Sequence, residues 1–167
     1  MQNNFINSAE AVGARIKRFS SVKETALYLN EVAAGGKIRS TALPPEIEEE
    51  LVEVERCDRS STDDTALCIS FAEAGIAATG SLLLYLTDPE SRGVTALATK
   101  HAVFLRSSTI VPTLRDLSAP LKEALAGSGT KYLSVTTGPS RTADIERVLT
   151  IGVHGPKELH ILILEGE

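Results

Sequence analysis

Residues 131–164 read KYLSVTTGPSRTADIERVLTIGVHGPKELHILIL, and the predicted fold is organised around them. They open with a short apolar run at 132–135, which predicts a buried strand. They close with Leu159–Leu164, which is apolar at nearly every position. A strand that is covered on both faces has this composition, and such strands are typical of parallel sheets.

The segment between these two strands predicts a turn followed by a helix. Thr136–Ser140 is rich in threonine, glycine and serine, and its Pro139 suits the first turn of a helix, where a missing N–H is no loss. Asp144 and Glu146 follow early, where acids favour the positive end of the helix dipole. Such a turn presents backbone N–H groups at a helix N-terminus, so the sequence predicts an anion site there.

The rest of the chain alternates short apolar runs with amphipathic segments. Strands are predicted over residues 14–19, from residue 38, and over 52–56, 82–86 and 102–105. Helices are predicted up to residue 12 and over 20–34, 44–51 and 118–126, with a single helical turn at 71–75. A surface loop is predicted at 58–64 and a turn at 87–93. Strands with interleaved helices favour an α/β layered domain.

Length and composition favour one globular domain spanning residues 1–167, with 43% apolar and 23% charged residues. Aromatic residues make up only 4% of the chain, and the net charge is −5. Few aromatic side chains are available to stack on bases, and the negative net charge of the chain repels phosphate backbones. No nucleic-acid partner is therefore expected.

The two cysteines, Cys57 and Cys68, lack the spacing of a metal motif and fit a reducing compartment. The first nineteen residues contain no apolar core of the length that a signal peptide needs. The longest apolar runs are too short to span a bilayer. We therefore expect a cytoplasmic protein that does not associate with a membrane.

Arg141 is the first candidate for a binding role. A guanidinium beside a Gly-Pro-Ser turn can hold a carboxylate or phosphate by two hydrogen bonds. The alternative is an ion pair with Asp144 or Glu146 that only fixes the helix start. Asp144 and Glu146 are two residues apart and point to different sides of a helix, so they cannot easily share one substrate, and Asp144 is expected to be the one that lines the site.

His154 is the histidine with the best case for a functional role, because flanking glycines can hold it near a ligand. The alternative is a loop histidine that bonds its own backbone. His160 lies on the predicted buried strand, where a hydrogen-bonded core histidine is expected. His154, Glu158 and His160 match no established metal motif, so no metal site is predicted.

Several motifs are absent. The sequence has no Gly-x-Ser-x-Gly elbow, no phosphate-binding glycine-rich lysine loop and no dinucleotide fingerprint. No cysteine cluster is present to hold an iron–sulfur centre, so no cofactor is expected. The small residues of 76–81, which include Thr79 and Gly80, let two backbones or a ligand come close.

The stretches TTGPSRTADIE (136–146) and IGVHGPKELHILIL (151–164) resemble the C-terminal signature of the LUD-domain family, the lactate-utilisation proteins of LutC or YkgG type. ISFAEAGIAATGSLLL (69–84) is similar to the central segment of that family, and HAVFL (101–105) with IVP (110–112) also fits. The resemblance runs from about Ala9 to Leu164.

The resemblance implies a mixed or mostly parallel sheet flanked by helices, similar to the NagB/RpiA/CoA-transferase-like fold. It also implies a role in the oxidation of L-lactate to pyruvate alongside iron–sulfur lactate-utilisation proteins. Because this chain cannot hold a cluster, it would be a non-redox accessory or ligand-sensing component. The expected partners are those proteins, a small anionic ligand and, as a further candidate, a second copy of the chain.

Two other hypotheses stay open: an enzyme or binder acting on a phosphorylated or carboxylated ligand at Thr137–Arg141, and a non-catalytic scaffold. The scaffold is suggested by Ala78, which stands where the family often has an acid before Thr-Gly. The predicted ligand-binding residues are Thr79, Gly80, Thr137, Gly138, Ser140, Arg141, Asp144 and His154.

Overall fold

The computed structural model describes residues 1–57, 64–86, 88–126, 132–143, 149–151 and 155–166. The helices are α1 (Gln2–Ala11), α2 (Thr25–Ala33), α3 (Pro45–Glu50), α4 (Pro89–Leu97) and α5 (Ser118–Ala126). The strands are β1 (Arg15–Phe19), β2 (Lys37–Ser40), β3 (Thr65–Ile76), β4 (Ser81–Tyr85), β5 (Lys100–Arg106), β6 (Ile110–Val111), β7 (Leu133–Thr137), β8 (Arg141–Ala143), β9 (Leu149–Ile151) and β10 (Glu158–Leu164). No helix in these described parts is long and apolar enough to cross a membrane.

The main sheet is mixed and mostly parallel. Its strand order is β1-β10-β5-β3-β4-β7, with β2 and β6 alongside β3. β1, β10, β5, β3 and β2 run parallel, whereas β4 is antiparallel to β3 and β7 is antiparallel to β4. β8 and β9 form a separate two-stranded antiparallel sheet. The predicted fold class, an α/β protein with a mixed, mostly parallel sheet, is confirmed.

Helices cover both faces of the sheet. On one face, Phe104 and Leu162 pack with Leu29 of α2 and Ile47 of α3. On the other face, the alternate residues of the same strands pack with Phe5 of α1. Side chains alternate across a strand, so the apolar run of β10 supplies both cores at once. This confirms the prediction that Leu159–Leu164 is buried on both faces.

The helix predicted after Thr136–Ser140 is wrong over its described part. Arg141–Ala143 and Leu149–Ile151 are strands that pair antiparallel, with Thr142 opposite Thr150. Threonine and isoleucine favour strands, and cross-strand pairing overrides the helix-start signals of Pro139, Asp144 and Glu146. The predicted anion site at a helix N-terminus is therefore absent from this turn, and Asp144 lies outside the described residues.

Three other local predictions are corrected. The single turn at 71–75 is part of the long strand β3. Residues 52–56 are not a strand, because the chain turns directly after α3, where the Val54 N–H donates to the Leu51 carbonyl at 3.1 Å. The turn at 87–93 is instead the start of α4: Asp88 accepts from the Ser91 N–H at 2.7 Å, and Pro89 follows it at the first helical position.

The apolar run at 132–135 predicts a buried strand, but β7 stands at one end of the strand order of the described sheet. Tyr132 is 45% exposed and Val135 is 49% exposed. The strand pairs with β4 on one side only among the described residues. The surface loop predicted at 58–64 lies outside the described residues except for Asp64.

Candidate functional site

A cavity of about 520 Å³ lies beside β7, where this strand approaches α4 and the start of β10. It brings together the predicted site residues Thr137, Gly138, Ser140 and Arg141. The other described lining residues come from separate parts of the chain: Leu84, Leu86, Arg92, Thr95, Ala96, His101, Tyr132, Ser134, Val135, Thr136, Pro139, Gly155, Pro156 and Leu159.

The ionised side chains among these described lining residues are the two guanidinium groups of Arg92 and Arg141, and no carboxylate is among them. The sequence as a whole carries a net charge of −5. The cavity is therefore positively charged although the chain as a whole is negatively charged. A positively charged cleft raises the local concentration of anions.

Arg141 is held by the backbone at the end of α1. Its Nη2 donates to the Val12 carbonyl at 2.8 Å. A guanidinium has five N–H donors, and the bond to Val12 uses one of them. The ion pair with Asp144 or Glu146, which was the alternative for Arg141, falls on residues outside the described part of the chain.

The turn between β7 and β8 depends on a glycine. Gly138 has a φ of +65°, and a Cβ at this position would lie 2.5 Å from the Val12 carbonyl oxygen. A side chain would therefore push the turn away from α1 and move Arg141 with it. The Ser140 N–H donates to the Pro156 carbonyl at 2.8 Å, which ties the same turn to the start of β10.

Arg92 extends from α4 and stacks on Tyr132 at the beginning of β7. Its guanidinium carbon lies 5.0 Å from the centre of the tyrosine ring. A cation over an aromatic face gains about 0.5–1 kcal/mol at an exposed site. This contact keeps a positive charge beside the first residues of β7.

Thr79 and Gly80 do not line the cavity. A Cβ on Gly80 would lie 2.2 Å from the Ala9 nitrogen, so this glycine is required for the close approach of α1. Thr79 joins a chain of hydroxyl groups: its Oγ1 lies 2.7 Å from Ser81 Oγ, which lies 2.7 Å from Thr137 Oγ1. A role of Thr79 and Gly80 in ligand binding stays a prediction.

His101 is a lining residue that the sequence did not predict as a ligand-binding residue; it was noted as the first residue of HAVFL, a stretch that fits the family. Its Nε2 lies 2.6 Å from Ser70 Oγ, and the ring is 2% exposed. Burial lowers the pKa of His101 to about 4, so the imidazole is uncharged at neutral pH. A histidine directly before the apolar run Ala102–Leu105 was the available signal.

The other two histidines do not contribute described atoms to the cavity. His160 lies on the opposite face of the sheet, with Nδ1 2.7 Å from the Tyr28 hydroxyl and Nε2 3.0 Å from Glu158 Oε2. Burial lowers its pKa, while Glu158 opposes that shift. The prediction of a hydrogen-bonded core histidine is confirmed, and His154 lies outside the described residues. Over the described ranges, no group of three or more His, Cys, Asp or Glu side chains is placed to hold a metal ion.

Ser134 and Thr136 are further lining residues that the sequence did not single out. They lie opposite Leu84 and Leu82 in the antiparallel register with β4. Those leucines belong to the core cluster on the α1 face, so Ser134 and Thr136 project to the same side as the cavity. The alternation of polar and apolar residues in LSVTT carried this signal.

The fold and the site define the chain as an α/β protein with an arginine-lined cavity at the edge of a mixed sheet. Residues 46–164 match the family model of the LUD domain. The chain belongs to the LUD domain family, as the resemblance in its sequence predicted.

Relatives with curated descriptions point to the same family. The chain is 33% identical over 99 residues to Lactate utilization protein C of Bacillus licheniformis, which covers 58% of this chain and 41% of that protein. It is 35% identical over 98 residues to the protein of the same name in Bacillus subtilis, covering 57% and 41%. It is 32% identical over 108 residues to the uncharacterized protein YkgG of Escherichia coli, covering 64% and 47%. The matched region thus spans less than half the length of each relative.

A crystal structure of a DUF162 family protein from Deinococcus radiodurans has a similar fold, with a TM-score of 0.66. The superposition covers 98% of this chain and 95% of that one, at 18% sequence identity. At this identity the similarity concerns the fold alone.

Proposed function

We propose that this chain is a LutC-like component of lactate utilisation that has no redox chemistry of its own and that binds a small organic anion. Membership of the LUD domain family and the names of its Bacillus relatives support the pathway. The observation that carries the anion is the cavity: its described lining holds Arg92 and Arg141 and no carboxylate.

The turn at Arg141 suits a carboxylate. Arg141 uses one N–H on the Val12 carbonyl, and its planar fork can place two others on the oxygens of a carboxylate. Leu84 and Leu159 supply apolar lining for a short carbon skeleton. L-lactate and pyruvate have this combination of one carboxylate and a small apolar end.

The redox step is assigned to other proteins. An iron–sulfur cluster is commonly held by four cysteine thiolates, and the sequence contains two cysteines. The iron–sulfur proteins that the family resemblance implies are the proposed partners, and the cytoplasm is the proposed compartment. In this arrangement the chain senses or delivers the anion, and its partners transfer the electrons.

An enzyme acting on a carboxylated or phosphorylated ligand is the second candidate, and His101 favours it. The uncharged ring lines the cavity and is bonded to Ser70, so it can exchange a hydrogen bond with a bound oxygen. The third candidate, a scaffold without ligand binding, has Ala78 as its support.

The test is a thermal-shift measurement with L-lactate, pyruvate, ribose 5-phosphate and coenzyme A. A ligand that binds the folded state raises the melting temperature by mass action. We expect L-lactate or pyruvate to raise it, Arg141→Ala to abolish the shift and Arg115→Ala to retain it, because Arg115 is exposed and outside the cavity lining.

Three outcomes separate the candidates. A shift that persists in Arg141→Ala removes the proposed site. A shift with ribose 5-phosphate or coenzyme A alone favours the enzyme. No shift with any compound overturns anion binding and leaves the scaffold, for which co-purification with iron–sulfur proteins is the next measurement.

A further inference from the structure

The backbone of β7 presents hydrogen-bonding groups on the side away from β4. The Leu86 N–H donates to the Tyr132 carbonyl at 3.0 Å, which makes these two residues a hydrogen-bonded pair. In an antiparallel ladder such pairs alternate with non-bonded ones. Ser134 and Thr136 therefore bond to β4, whereas the N–H and C=O groups of Leu133, Val135 and Thr137 point outward.

The outward side of β7 differs from the other edge of the sheet. β1, at the far end of the strand order, is protected by charge: Arg15 pairs with Glu158 at 2.9 Å and Arg18 with Glu165 at 3.3 Å. β7 has the sequence LSVTT, without a charge, a proline or an irregularity in its register with β4. Among the described residues, no strand pairs with its outer side.

The cavity runs along this open edge. Leu133 packs in the core cluster on the face opposite the cavity, and alternation places the side chains of Val135 and Thr137 on that face too. Val135 and Thr137 are nevertheless lining residues, and from the alternation of side chains we infer that their backbone faces the cavity. The groove is thus bordered by the side chains of Ser134 and Thr136 and by peptide groups that pair with no described strand.

The two cations lie near opposite ends of the groove. Arg92 stacks on Tyr132 at the start of β7, and Arg141 lies beyond Gly138 at its end. A strand rises about 3.3 Å per residue, so the six steps from Tyr132 to Gly138 span about 20 Å. A three-carbon acid reaches one arginine, whereas an extended chain with an acid near each end reaches both.

We propose that β7 is a docking site where an extended acidic segment of a partner protein adds a strand to the sheet. Main-chain bonds to Leu133, Val135 and Thr137 would supply affinity, and acids opposite Arg92 and Arg141 would set register and direction. The proposed anion function needs only the Arg141 end of the groove, so this inference goes beyond it.

Hydrogen exchange on the protein alone tests the premise. We expect the amides of Leu133, Val135 and Thr137 to exchange quickly, and those of Ser134 and Thr136 to be protected by their bonds to β4. Equal protection of both sets means that the outer edge is already covered, and this result overturns the proposal.

Docking is tested with a fluorescein-labelled heptapeptide of alternating threonine and valine with a glutamate at each end, and with a version that carries lysines there. We expect the glutamate peptide to bind by fluorescence polarisation, at least tenfold more tightly than the lysine peptide. Its binding should slow exchange at Leu133, Val135 and Thr137. No binding of the glutamate peptide at 1 mM, or equal binding of the two peptides, overturns the proposal.

Two variants locate the peptide. Val135→Pro removes one outward N–H and leaves the ladder with β4 intact, because proline is tolerated on the free side of an edge strand. It should weaken binding at least tenfold, whereas Val135→Thr should not. Arg92→Gln should weaken binding of the glutamate peptide and not that of the lysine peptide. This test remains valid even if Val135→Pro fails to fold. Unchanged binding of the glutamate peptide to Val135→Pro and Arg92→Gln refutes the inference. A rise in melting temperature with lactate, without any peptide binding, also refutes the inference but leaves the proposed function in place.

Discussion

The hydroxyl oxygens of Ser81 and Thr137 lie 2.7 Å apart across the neighbouring strands β4 and β7. The two residues are direct partners in the antiparallel register, and Thr79 extends the contact from the preceding turn. Side chains alternate along a strand, so a Thr137 side chain that contacts Ser81 lies on the face opposite the cavity. The side chains of Ser134 and Thr136 then lie on the cavity face. The hydroxyl pair thus helps to set which side chains of β7 reach the cavity.

Ser81→Ala should lower the free energy of unfolding by about 1–2 kcal/mol. The buried Ser81 hydroxyl bonds the hydroxyl groups of Thr79 and Thr137, and the substitution removes both bonds. Thr79→Ala is the matched control, since the Thr79 side chain is exposed and water can replace its bond. Urea unfolding of the three proteins gives the comparison. Equal losses in the two variants would contradict a buried position of the Ser81 hydroxyl.

Gly80→Ala should cost roughly 2–5 kcal/mol of stability, since the residue has a φ of +65° and a Cβ would overlap the Ala9 backbone. Gly35→Ala shares the left-handed conformation, with a φ of +77°, but has open space around it. Its expected cost is only about 1–2 kcal/mol. Melting temperatures separate the two effects, and a similar loss at both sites would mean that α1 does not pack closely on Gly80.

Asp88→Ala should destabilise α4 by about 0.5–2 kcal/mol, because the carboxylate caps the helix by accepting from the Ser91 N–H. Asp88→Asn keeps an N-cap acceptor and should lose only part of this. Circular dichroism during urea unfolding reports the stability. Since α4 carries Arg92, the cap variant should also bind the glutamate peptide less tightly; unaltered stability in Asp88→Ala would show that the cap contributes little.

The stability of the protein should depend on pH through His101. Its pKa is lowered from 6.5 to about 4 in the folded state, because burial disfavours the charged ring. The unfolded chain therefore binds a proton first, and the contribution of this histidine is complete above pH 6.5 and declines as the pH falls towards 4. The full loss is about 3 kcal/mol.

Urea unfolding at pH 7.0 and pH 4.5 measures this dependence in the wild type and in His101→Gln. Glutamine cannot take up the proton, so the variant should lose less stability between the two pH values. Carboxylates titrate in both proteins, and the difference between them isolates His101. The same pH dependence in both would show that His101 is not buried in its neutral form.

The sequence predicted those parts of the fold whose signals are local. The run Leu159–Leu164 has the composition of a strand covered on both faces, and β10 is such a strand. The helix predicted over residues 20–34 is present as α2. The sequence did not reveal the pairing of Thr142 with Thr150, because the helix-start signals of Pro139, Asp144 and Glu146 do not exclude a strand partner. A pattern this short cannot decide between the two structures.

The candidate site was predicted in part for the same reason. Five of its lining residues stand together in Thr137–Arg141, and four of these five are predicted site residues, so their proximity was visible. The remaining geometry joins distant positions: the Arg141 guanidinium bonds a carbonyl 129 residues away, and Ser70 bonds a histidine 31 residues away. Contacts of this kind depend on strand order, which no local pattern encodes.

The position of β10 has a consequence for the order in which the sheet is assembled. β10 follows every other strand of the main sheet in the chain, yet it lies between β1 and β5 and pairs with both. On the ribosome, β1 therefore lacks its neighbour in the described sheet, and β5 lacks its neighbour on one side, until residues 158–164 have left the exit tunnel. A nascent chain that stalls before this point exposes two parallel edges of matching direction, and these are the surfaces at which neighbouring copies would associate wrongly.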